Sequence, residues 1–548
     1  MKKRIMSVAL SVGMLGSCLV GAACNKGDGD VEGKTTIRVA TYNGGLGMKW
    51  LETAAKNFEE AVANKSFEEG KTGVAIKVVE SQAGDMLASR SLDQDVYLTE
   101  SVDYYYLQNQ GKLANISDVA EGSLSAYGED GAIKDKLDKS WNDFLTAKDG
   151  EYYAIPFYEG FHNFIYDADM FELKGWYFDD NGNFTKTSKS KGIDGVAGTY
   201  DDGLPKTYAQ FGQLITKIRG DGVTPFTYST ETIVYFISLL SNYWADYEGK
   251  AEMQLNWSLS GEADIITSFN GDTPVIEKKT ITPENYTELQ KQPGKYATLK
   301  FLKEVLLSNK ENFESASDFK TAQYNVIGSC LDGEMQENPV AMIIDGSWFE
   351  NEAELSGTYA TAKMLDMRED IGDKDYKKTR RLAFMPIPMV DESEATLNMG
   401  SKNENGTHKQ TIVSANDSFC FINAATKDAK LEVSKEFLKF LHTEKELAAF
   451  TTTTAITRPY AYTVSKEARD DMSYFGRTLL EMKEASDIVY PYSSNATYVA
   501  NTAVFRLGAW AWKSKVNNET QNNPFDYFRV DSDASVKAYF EGLYEEHK

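Results

Sequence analysis

The chain has 548 residues, of which 42% are hydrophobic and 26% are charged, and its formal net charge is −24. A chain of this length exceeds one compact core, so we expect two or three domains or lobes. The negative charge argues against attraction to nucleic acid or to anionic lipid, because both carry charge of the same sign.

The first 34 residues predict an export signal followed by a lipid-anchored tether. A basic start (MKKR) precedes the apolar stretch Ile5–Val20, and Gly-Ala-Ala precedes Cys24. An apolar stretch this short and rich in small residues is typical of a cleaved signal peptide and not of a permanent membrane span. We therefore predict a signal peptide over residues 1–23, diacylation of Cys24, a flexible polar tether over residues 24–34, and a location on the outer face of the cytoplasmic membrane.

Two alternatives for this segment stay open. Cys18 follows Leu-Gly-Ser, which supplies the leucine that bacterial lipoprotein signals usually carry, whereas Gly21 takes that position before Cys24. Lipidation at Cys18 would leave Leu19 and Val20 at the mature end, so Cys24 is the better match. Cleavage without lipidation is the second alternative.

The cysteine, histidine and aromatic residues indicate which kinds of site the chain can form. Cys330 and Cys420 are distant from each other and have no metal-ligand spacing, so we expect two buried thiols. A histidine-rich metal centre is not expected, because the chain has only four His residues. The chain has 31 Tyr, 28 Phe and 8 Trp residues, and such flat rings can stack on the apolar faces of sugars.

The amino-terminal part of the chain predicts a β-α-β-α-β unit, because strand-like and helical spacings of apolar residues follow each other. The predicted strands and helices cover Thr36–Tyr42, Trp50–Val62, Val74–Val79, Asp95–Leu98 and Tyr104–Gln110. This order implies a parallel sheet with right-handed crossovers, whose ligands lie beyond the carboxyl ends of the strands. That rule selects four candidate binding residues, Tyr42, Asn43, Glu100 and Ser101.

Residues 152–166 predict a passage from one lobe to another, because this long extended run contains Pro156 and Gly160. It is the first hinge candidate, and the middle third that follows it is expected to be rich in helices. The later predicted elements are a helix over Asp167–Trp176, a helix starting at Thr207, an apolar segment Ile233–Leu240 that is too short to span a bilayer, a buried strand Val340–Ile344, an edge or crossing strand Leu382–Met389, a strand Ser418–Ile422, and an amphipathic helix that includes Val433 and Leu441.

The segment 176–203 suggests calcium, the only cofactor that the sequence brings forward. Oxygen-bearing side chains that alternate with glycine can wrap a hard cation. The spacing departs from the EF-hand loop and lacks its terminal Glu, so a solvated turn without metal is the alternative. The candidate metal ligands are Asp179, Asn181, Asn183, Asp194, Asp201 and Asp202.

In the order of its motifs, the chain resembles the family 1 extracellular solute-binding proteins, the carbohydrate-capturing components of ABC importers. The similarity covers nearly the whole mature chain. The motifs that carry it are the lipoprotein start, TTIRVATYN with the FEE helix, DVYLTESVDYYYLQNQGKLANIS, YAIPFYEGFHNFIYDADMF, LPKTYAQFGQLITKI, AMIIDGSW, and EVSKEFLKFLHTEKELAAF followed by AITRPY.

The resemblance implies an α/β, two-lobed fold like that of periplasmic binding proteins, in which each lobe is a central sheet flanked by helices and hinge strands join the lobes. Lobe one would comprise residues 35–155 plus 412–454, and lobe two residues 156–411 plus 455–548. The chain is longer than typical members, and the excess lies mainly in residues 176–203 and 360–415.

The resemblance also implies a ligand cleft between the lobes. Rings would stack on sugar faces, while Asp, Glu, Asn and Arg side chains would bond hydroxyl groups. The implied partners are a carbohydrate, expected to be an oligosaccharide, the membrane subunits of an ABC importer, and the membrane through the lipid anchor. Nucleic acid is not expected, and the chain is expected to be a monomer. The candidate ligand-binding residues are Tyr42, Asn43, Glu100, Ser101, Tyr158, Glu159, His162, Tyr228, Trp244, Asp345, Trp348, Arg458, Tyr490, Tyr492 and Asn495.

Two other classes of protein share some of these features. A lipid-anchored glycoside hydrolase needs two carboxylates at a fixed separation, which the sequence does not single out. A surface glycan adhesin shares the anchor and the rings but needs no hinge closure. The chain has no G-x-S-x-G, H-E-x-x-H or P-loop motif, so we expect a binding protein and not an enzyme.

Overall fold

The computed structural model describes residues 29–82, 87, 90–368, 372, 375–390, 401–402, 406–415, 418–500, 514–516, 519–521 and 523–547. The predicted signal peptide, Cys18, Cys24 and the first part of the tether lie outside these residues. Among the described residues, no helix has both the length and the apolar content that a bilayer span requires.

The helices and strands alternate along the chain. The strands are β1 (Thr35–Tyr42), β2 (Val74–Ser81), β3 (Val96–Thr99), β4 (Ile155–Pro156), β5 (His162–Asp167), β6 (Tyr177–Phe178), β7 (Phe184–Thr185), β8 (Thr224–Ser229), β9 (Gly261–Asn270), β10 (Thr273–Ile281), β11 (Phe313–Ala316), β12 (Cys330–Leu331), β13 (Glu334–Met335), β14 (Val340–Gly346), β15 (Leu382–Phe384), β16 (Ser401–Lys402), β17 (His408–Lys409), β18 (Thr411–Val413), β19 (Phe419–Ile422), β20 (Asp487–Val489), β21 (Ser514–Val516) and β22 (Glu519–Gln521). The helices are α1 (Lys49–Ala61), α2 (Tyr104–Asn109), α3 (Ser117–Ala120), α4 (Lys139–Leu145), α5 (Ala168–Lys174), α6 (Tyr208–Gly220), α7 (Ile233–Ser258), α8 (Pro293–Lys300), α9 (Phe319–Ile327), α10 (Phe349–Leu355), α11 (Thr358–Leu365), α12 (Tyr376–Thr379), α13 (Asp428–Leu441), α14 (Glu444–Thr454), α15 (Lys466–Asp470), α16 (Tyr474–Ala485), α17 (Ala496–Ala500), α18 (Pro524–Val530) and α19 (Val536–His547).

The first sheet has five strands in the order β2-β1-β3-β19-β4. β1 pairs in parallel with β2 and β3, as the β-α-β-α-β pattern predicts. β19 returns from late in the chain and lies antiparallel between β3 and β4. Helix α1 covers this sheet with Trp50, Leu51, Ala54 and Phe58, which recur at helical spacing and are all buried.

The second sheet also has five strands, in the order β11-β8-β14-β5-β15. β8 lies parallel to β11 and β14, whereas β5 is antiparallel to β14 and β15. β5 and β14 are buried along their whole length, which is why VAMIIDG reads as a continuous apolar run and not as an alternating one. Two sheets flanked by helices confirm the predicted α/β fold class.

Side-chain caps fix where helices α5 and α6 begin. The Asp167 carboxylate accepts hydrogen bonds from the amides of Asp169 and Met170 at the start of α5, and Thr207 Oγ1 accepts one from the Gln210 amide at the start of α6. Such caps satisfy amides that have no partner within the first turn.

A long hairpin in the middle third was not expected from the sequence. β9 and β10 pair antiparallel across a two-residue turn, Gly271-Asp272, in which Gly271 has φ +65°. Glycine accepts that left-handed backbone without steric cost. The strands of the hairpin are short of buried residues on one face, so their periodicity is weaker than that of the neighbouring helices.

Two of the segments in which the chain passes between the sheets bond to each other. Phe157 donates its amide to the Ser418 carbonyl (3.0 Å), and the Ala415 amide donates to the Gly160 carbonyl (2.8 Å). The Ser418 hydroxyl accepts from the Tyr158 amide (3.1 Å) and donates to the Tyr158 carbonyl (2.6 Å). The predicted passage over 152–166 therefore contains β4, an irregular stretch and most of β5. The second crossing segment lies next to the irregular stretch and bonds to it. The residue bounds of the two lobes stay a prediction.

Replacing Ser418 by Ala should destabilise the protein. Ser418 is fully buried, so the substitution leaves the Tyr158 amide and carbonyl without the hydroxyl that they share. We expect a loss of about 1–3 kcal/mol of unfolding free energy for each buried group left without a partner, measured by urea denaturation. The exposed Ser308, replaced by Ala, is the control; equal midpoints for the two variants would contradict the expectation.

Candidate ligand-binding cavity

A cavity of about 510 Å³ lies at the ends of strands from both sheets. Its size is within the range of roughly 300–1,000 Å³ that small-molecule sites usually have. The loops after β1, β3 and β14, strand β5, helix α7, the second crossing segment and residues 491–498 all contribute to its wall. The lining residues are Tyr42, Gly44, Glu100, Ser101, Val102, Asp103, Tyr104, Phe144, His162, Val234, Tyr235, Ile237, Ser238, Ser241, Trp244, Met253, Trp257, Trp348, Glu352, Val413, Ser414, Ala415, Pro491, Tyr492 and Tyr498.

Three rings form one cluster on this wall. Ring centroids of His162 and Tyr235 are 4.4 Å apart, those of His162 and Trp348 are 5.0 Å apart, and those of Tyr235 and Trp348 are 5.4 Å apart. The two contacts of Trp348 are edge-to-face, the arrangement that the ring quadrupole favours. The cluster therefore presents rings in fixed, non-parallel orientations.

His162 is neutral in this cluster. Burial lowers the pKa of its imidazole to about 3. Its Nδ1 lies 2.9 Å from the Ser238 hydroxyl, and its Nε2 has no hydrogen-bond partner among the described residues, although the side chain is only 5% exposed. A buried ring nitrogen without a partner is unusual, and a ligand in the cavity could supply one.

Two glycines leave room for the Trp348 side chain, because a Cβ atom at either position would crowd it. A Cβ at Gly346, where β14 ends, would lie 2.4 Å from the Trp348 ring, so the indole folds back over that glycine. Gly45, in the loop after β1, has φ +86°, and a Cβ there would lie 3.2 Å from Trp348 Cβ and 3.4 Å from Glu352 Cβ. The loop of the first sheet thus approaches the helix of the second with no side chain between them.

Helix α7 lines the cavity with both of its halves. Non-helical backbone at Gly249 (φ 75°, ψ 167°) separates them. Tyr235, Ser238 and Trp244 come from the first half, and Trp257 comes from the second. Glycine allows this backbone conformation in the middle of a helix, where other residues would be strained.

The charged residues of the wall are acidic. Tyr158 donates its hydroxyl hydrogen bond to Glu100, which lines the cavity. Gln323 donates from one amide nitrogen to Glu352 (2.7 Å) and to Asp345 behind it (3.2 Å). Burial raises the pKa of both carboxyls, and repulsion from Asp345 raises that of Glu352 further.

Seven residues selected from the sequence meet at this cavity. They come from both halves of the chain and from the late segment that follows β20. The seven are Tyr42, Glu100, Ser101, His162, Trp244, Trp348 and Tyr492.

The other eight candidates do not line the cavity, and each is engaged elsewhere. Arg458 is fully buried and donates to the carbonyls of Phe157 (2.6 Å) and Leu441 (2.9 Å) and to His442 Nε2 (2.7 Å). It holds the crossing segment and does not line the cavity. Asn43, Tyr158, Glu159, Tyr228, Asp345, Tyr490 and Asn495 complete the group.

Their partners explain their positions. Glu159 binds Lys483 (2.9 Å) and accepts a hydrogen bond from the Tyr490 hydroxyl (2.9 Å), so two candidates pair with each other. Asn43 accepts from the Gly47 amide (3.0 Å), and Asn495 donates to the Ser258 carbonyl (3.1 Å).

The last three of the eight lie behind the wall or away from it. Tyr228 packs edge-on against Phe525 at 5.0 Å. Tyr158 and Asp345 stand behind Glu100 and Glu352 and orient them, directly in one case and through Gln323 in the other.

Sequence reasoning missed several lining residues, above all Tyr235, Ser238, Ser241, Trp257 and Glu352. In α7, hydroxyl-bearing side chains at positions 235, 238 and 241 recur every three residues within an apolar helix. That spacing puts them on one face and could have indicated a polar surface. The apolar character of the segment concealed it.

The candidate calcium ligands make local hydrogen bonds. Asp179 accepts from the amides of Asn181 (2.9 Å) and Asn183 (2.8 Å) in the β6–β7 turn, and Asp201 accepts from the amide of Asp194 (2.9 Å). Asp202 accepts from the Gly198 amide. Within the described part of the chain, no group of three or more His, Cys, Asp or Glu side chains could hold a metal ion. Calcium stays a prediction of the sequence alone.

Two α/β sheets joined by paired crossing segments, with an aromatic and acidic cavity where their strands end, define a two-lobed binding protein. The family model of bacterial extracellular solute-binding proteins matches residues 49–448. The chain belongs to this family, as its motifs predict. No curated protein matches the sequence.

Solved structures share the fold at low sequence identity. A chitin oligosaccharide binding protein is 13% identical with a TM-score of 0.51, and the match covers 93% of this chain and 98% of that one. A cyclic α-maltosyl-1,6-maltose binding protein from Arthrobacter globiformis is 10% identical with a TM-score of 0.50 and coverage of 94% and 98%. A binding protein of an ABC transporter from Bifidobacterium animalis subsp. lactis, in complex with mannobiose, is 14% identical with a TM-score of 0.50 and coverage of 94% and 93%.

A buried carboxyl beside the cavity should make stability depend on pH. Glu350 accepts from the Ser473 hydroxyl (2.7 Å) and does not line the cavity, and burial raises its pKa to about 7 from an ordinary value near 4.5. The folded protein therefore keeps a proton that the unfolded chain releases. As pH rises from about 4.5 to about 7, wild type should lose roughly 3 kcal/mol relative to Glu350→Gln, and above that range the difference should stay constant. Parallel curves of unfolding free energy against pH for the two proteins would contradict this.

Proposed function

We propose that this protein is a monomeric, lipid-anchored receptor that captures a carbohydrate in the cavity and delivers it to an ABC importer. The observation that carries the proposal is one cavity at the ends of two sheets whose wall combines aromatic rings with carboxylates and hydroxyls. The chain belongs to a family of extracellular solute-binding proteins, which supports binding without chemistry.

The wall suits sugars for a physical reason. A pyranose has an apolar C–H face, which stacks on rings such as Trp348 and Tyr235, and an edge of hydroxyls, which donate to carboxylates such as Glu100 and Glu352. Solved proteins with this fold include ones described as binding chitin oligosaccharide and mannobiose. The cavity volume of about 510 Å³ suits a short oligosaccharide.

Delivery requires a change that the importer can recognise. The paired crossing segments near Tyr158 and Ser418 form the hinge in this proposal, because their backbones bond to each other where the chain passes between the two sheets. Small-angle scattering with and without a saturating saccharide should show a smaller radius of gyration for the complex. An unchanged radius would favour an adhesin.

The anchor has its own test. Mass spectrometry of protein purified from bacterial membranes should show a diacylated Cys24 at the amino terminus, and a Cys24→Ala variant should be released into the soluble fraction. Lipid on Cys18, or an unmodified amino terminus, would contradict the proposed anchor while leaving the binding proposal intact.

A glycoside hydrolase would differ from a binding protein by releasing cleaved saccharides. Glu100 and Glu352 both line the cavity, and two carboxylates can suffice for glycosyl transfer. After prolonged incubation of the protein with oligosaccharides, chromatography should detect only the intact oligosaccharides. Cleaved products that disappear in Glu352→Gln would replace the proposed function with hydrolysis.

Trp348 should contribute strongly to sugar affinity. Trp348→Ala removes the ring that contacts both His162 and Tyr235, so we expect calorimetry to show at least about tenfold weaker binding of the best saccharide. Trp348→Phe, which keeps a ring, should lose less.

Tyr228→Phe is the matched control, because Tyr228 is an aromatic candidate that lies outside the cavity. It should bind as wild type does. Equal affinity for Trp348→Ala and Tyr228→Phe, with both variants folded by circular dichroism, would rule out the proposed role of the indole.

A further inference from the structure

We propose that the cavity prefers a saccharide that carries a protonated amine, and that the ammonium group lies between the Glu352 carboxylate and the rings of Tyr235 and Trp348. This inference rests on the proposed carbohydrate function and names the substrate class of the same cavity.

The charge on the wall has one sign. Among the described lining residues, Glu100, Asp103 and Glu352 are acidic and none is Lys or Arg. The cation that the sequence suggested for the site, Arg458, is used by the carbonyls of the crossing segment. An anionic sugar such as a uronate would therefore meet repulsion, whereas an ammonium group would be attracted.

Glu352 and Asp345 share one neutral donor. The Gln323 amide binds both carboxylates, and neither forms an ion pair with Lys or Arg in the part of the chain that the structure describes. Asp345 is buried and Glu352 is partly buried, and two neighbouring carboxylates in such positions are costly without a cation when both are ionised. A proton shared by the pair, or a cation from the ligand, is needed to compensate them.

The rings supply the second half of an ammonium site. Tyr235 and Trp348 are held at 5.4 Å with an interplanar angle of 67°, and Trp348 precedes Glu352 by one helical turn, as the amide of Glu352 donates to the Trp348 carbonyl (2.9 Å). Cations bind over the faces of such rings, and Trp is the strongest partner. The unpartnered Nε2 of the neutral His162 can accept a hydrogen bond from the same group.

The other part of the cavity is lined by Trp244, which follows Tyr235 by nine residues, about 13 Å along the helix. Behind Trp244 lies the buried Lys295, which does not line the cavity, and burial lowers the pKa of its amine. The carboxylates of Glu352 and Asp345 lie at the Trp348 end, so a cation is favoured there, and a neutral sugar ring can stack on Trp244.

Binding should release a proton. The groups that face Glu352 are Asp345, Glu100 and Glu231, which are acidic, with Tyr235 and the neutral His162 beside them. Burial and this acidic surrounding raise the pKa of the Glu352 carboxyl, so part of the free protein holds a proton there. A ligand cation favours the ionised form, and the proton goes to the buffer.

The test compares saccharides that differ in one substituent. Calorimetry is carried out at about pH 6, where a sugar amine is protonated. It compares the affinities of saccharides within sets whose members differ only at one carbon, which carries a hydroxyl, an acetamide or an amine. The sets cover α- and β-linked saccharides of the gluco and galacto series, and the matching uronates are measured with them. Within the sets that bind, we expect the amine to bind at least about tenfold more tightly than the hydroxyl and the uronate not at all. Heats in buffers of different ionisation enthalpy should show proton release for the amine only.

A substitution then locates the preference. Glu352→Gln should lose at least about tenfold in affinity for the amine and little for the hydroxyl member of the same set. Glu350→Gln is the matched control, because Glu350 lies in the same helix, is buried and does not line the cavity. It should keep the preference of wild type.

The possible results distinguish a failure of the amine preference from a failure of the proposed carbohydrate function. If neutral members bind as tightly as the amines or more tightly, or if uronates bind, the inference is overturned and the carbohydrate function stands. If no saccharide of any charge binds, the proposed function fails and the inference falls with it. An amine preference that persists in a folded Glu352→Gln overturns the assignment to Glu352, and should that variant not fold, the comparison of saccharides on wild type still decides.

Discussion

The hydrogen bonds between the two crossing segments are the constraint on which the rest of the structure depends. Phe157 bonds to Ser418, and Gly160 to Ala415, through backbone groups, and the Ser418 hydroxyl bonds to both the amide and the carbonyl of Tyr158. Arg458 then ties the Phe157 carbonyl to the end of α13, at a position where an unpaired guanidinium would be costly. Because these contacts fix how the sheets meet, they also fix which strand ends face each other across the cavity.

The same arrangement explains why a strongly acidic chain can have a selective cavity. Net charge acts at long range and is screened by salt, but carboxylates on a partly enclosed wall act at short range in a less polar environment. Tyr158 and Gln323 orient Glu100 and Glu352 from behind and carry no charge that would neutralise them. Specificity in this protein would then depend on residues that never touch the ligand as well as on those that do.

Much of the fold follows from local sequence, and part of the cavity does too. The β-α-β pattern gave Tyr42, Glu100 and Ser101, because the ends of parallel strands converge whatever their side chains are. Arg458, Glu159 and Tyr490 looked equally suitable, yet they satisfy buried carbonyls and one another, and such pairing depends on contacts distant in sequence. Tyr235 was concealed by the apolar helix around it, and the β9–β10 hairpin by the weak burial of its strands.

The close approach of Gly45 to Glu352 would allow a disulfide between the loop after β1 and helix α10. A Cβ at position 45 would lie 3.4 Å from Glu352 Cβ, close to the separation of roughly 3.5–4.5 Å that a disulfide spans. In Gly45→Cys combined with Glu352→Cys, oxidation would join the loop after β1 to helix α10, with the new cysteine at position 45 in a strained left-handed backbone, and reduction would release the link. Under the proposed function, importer stimulation by the disulfide-linked protein would distinguish a response to the conformation of the binding protein from a response to its bound ligand.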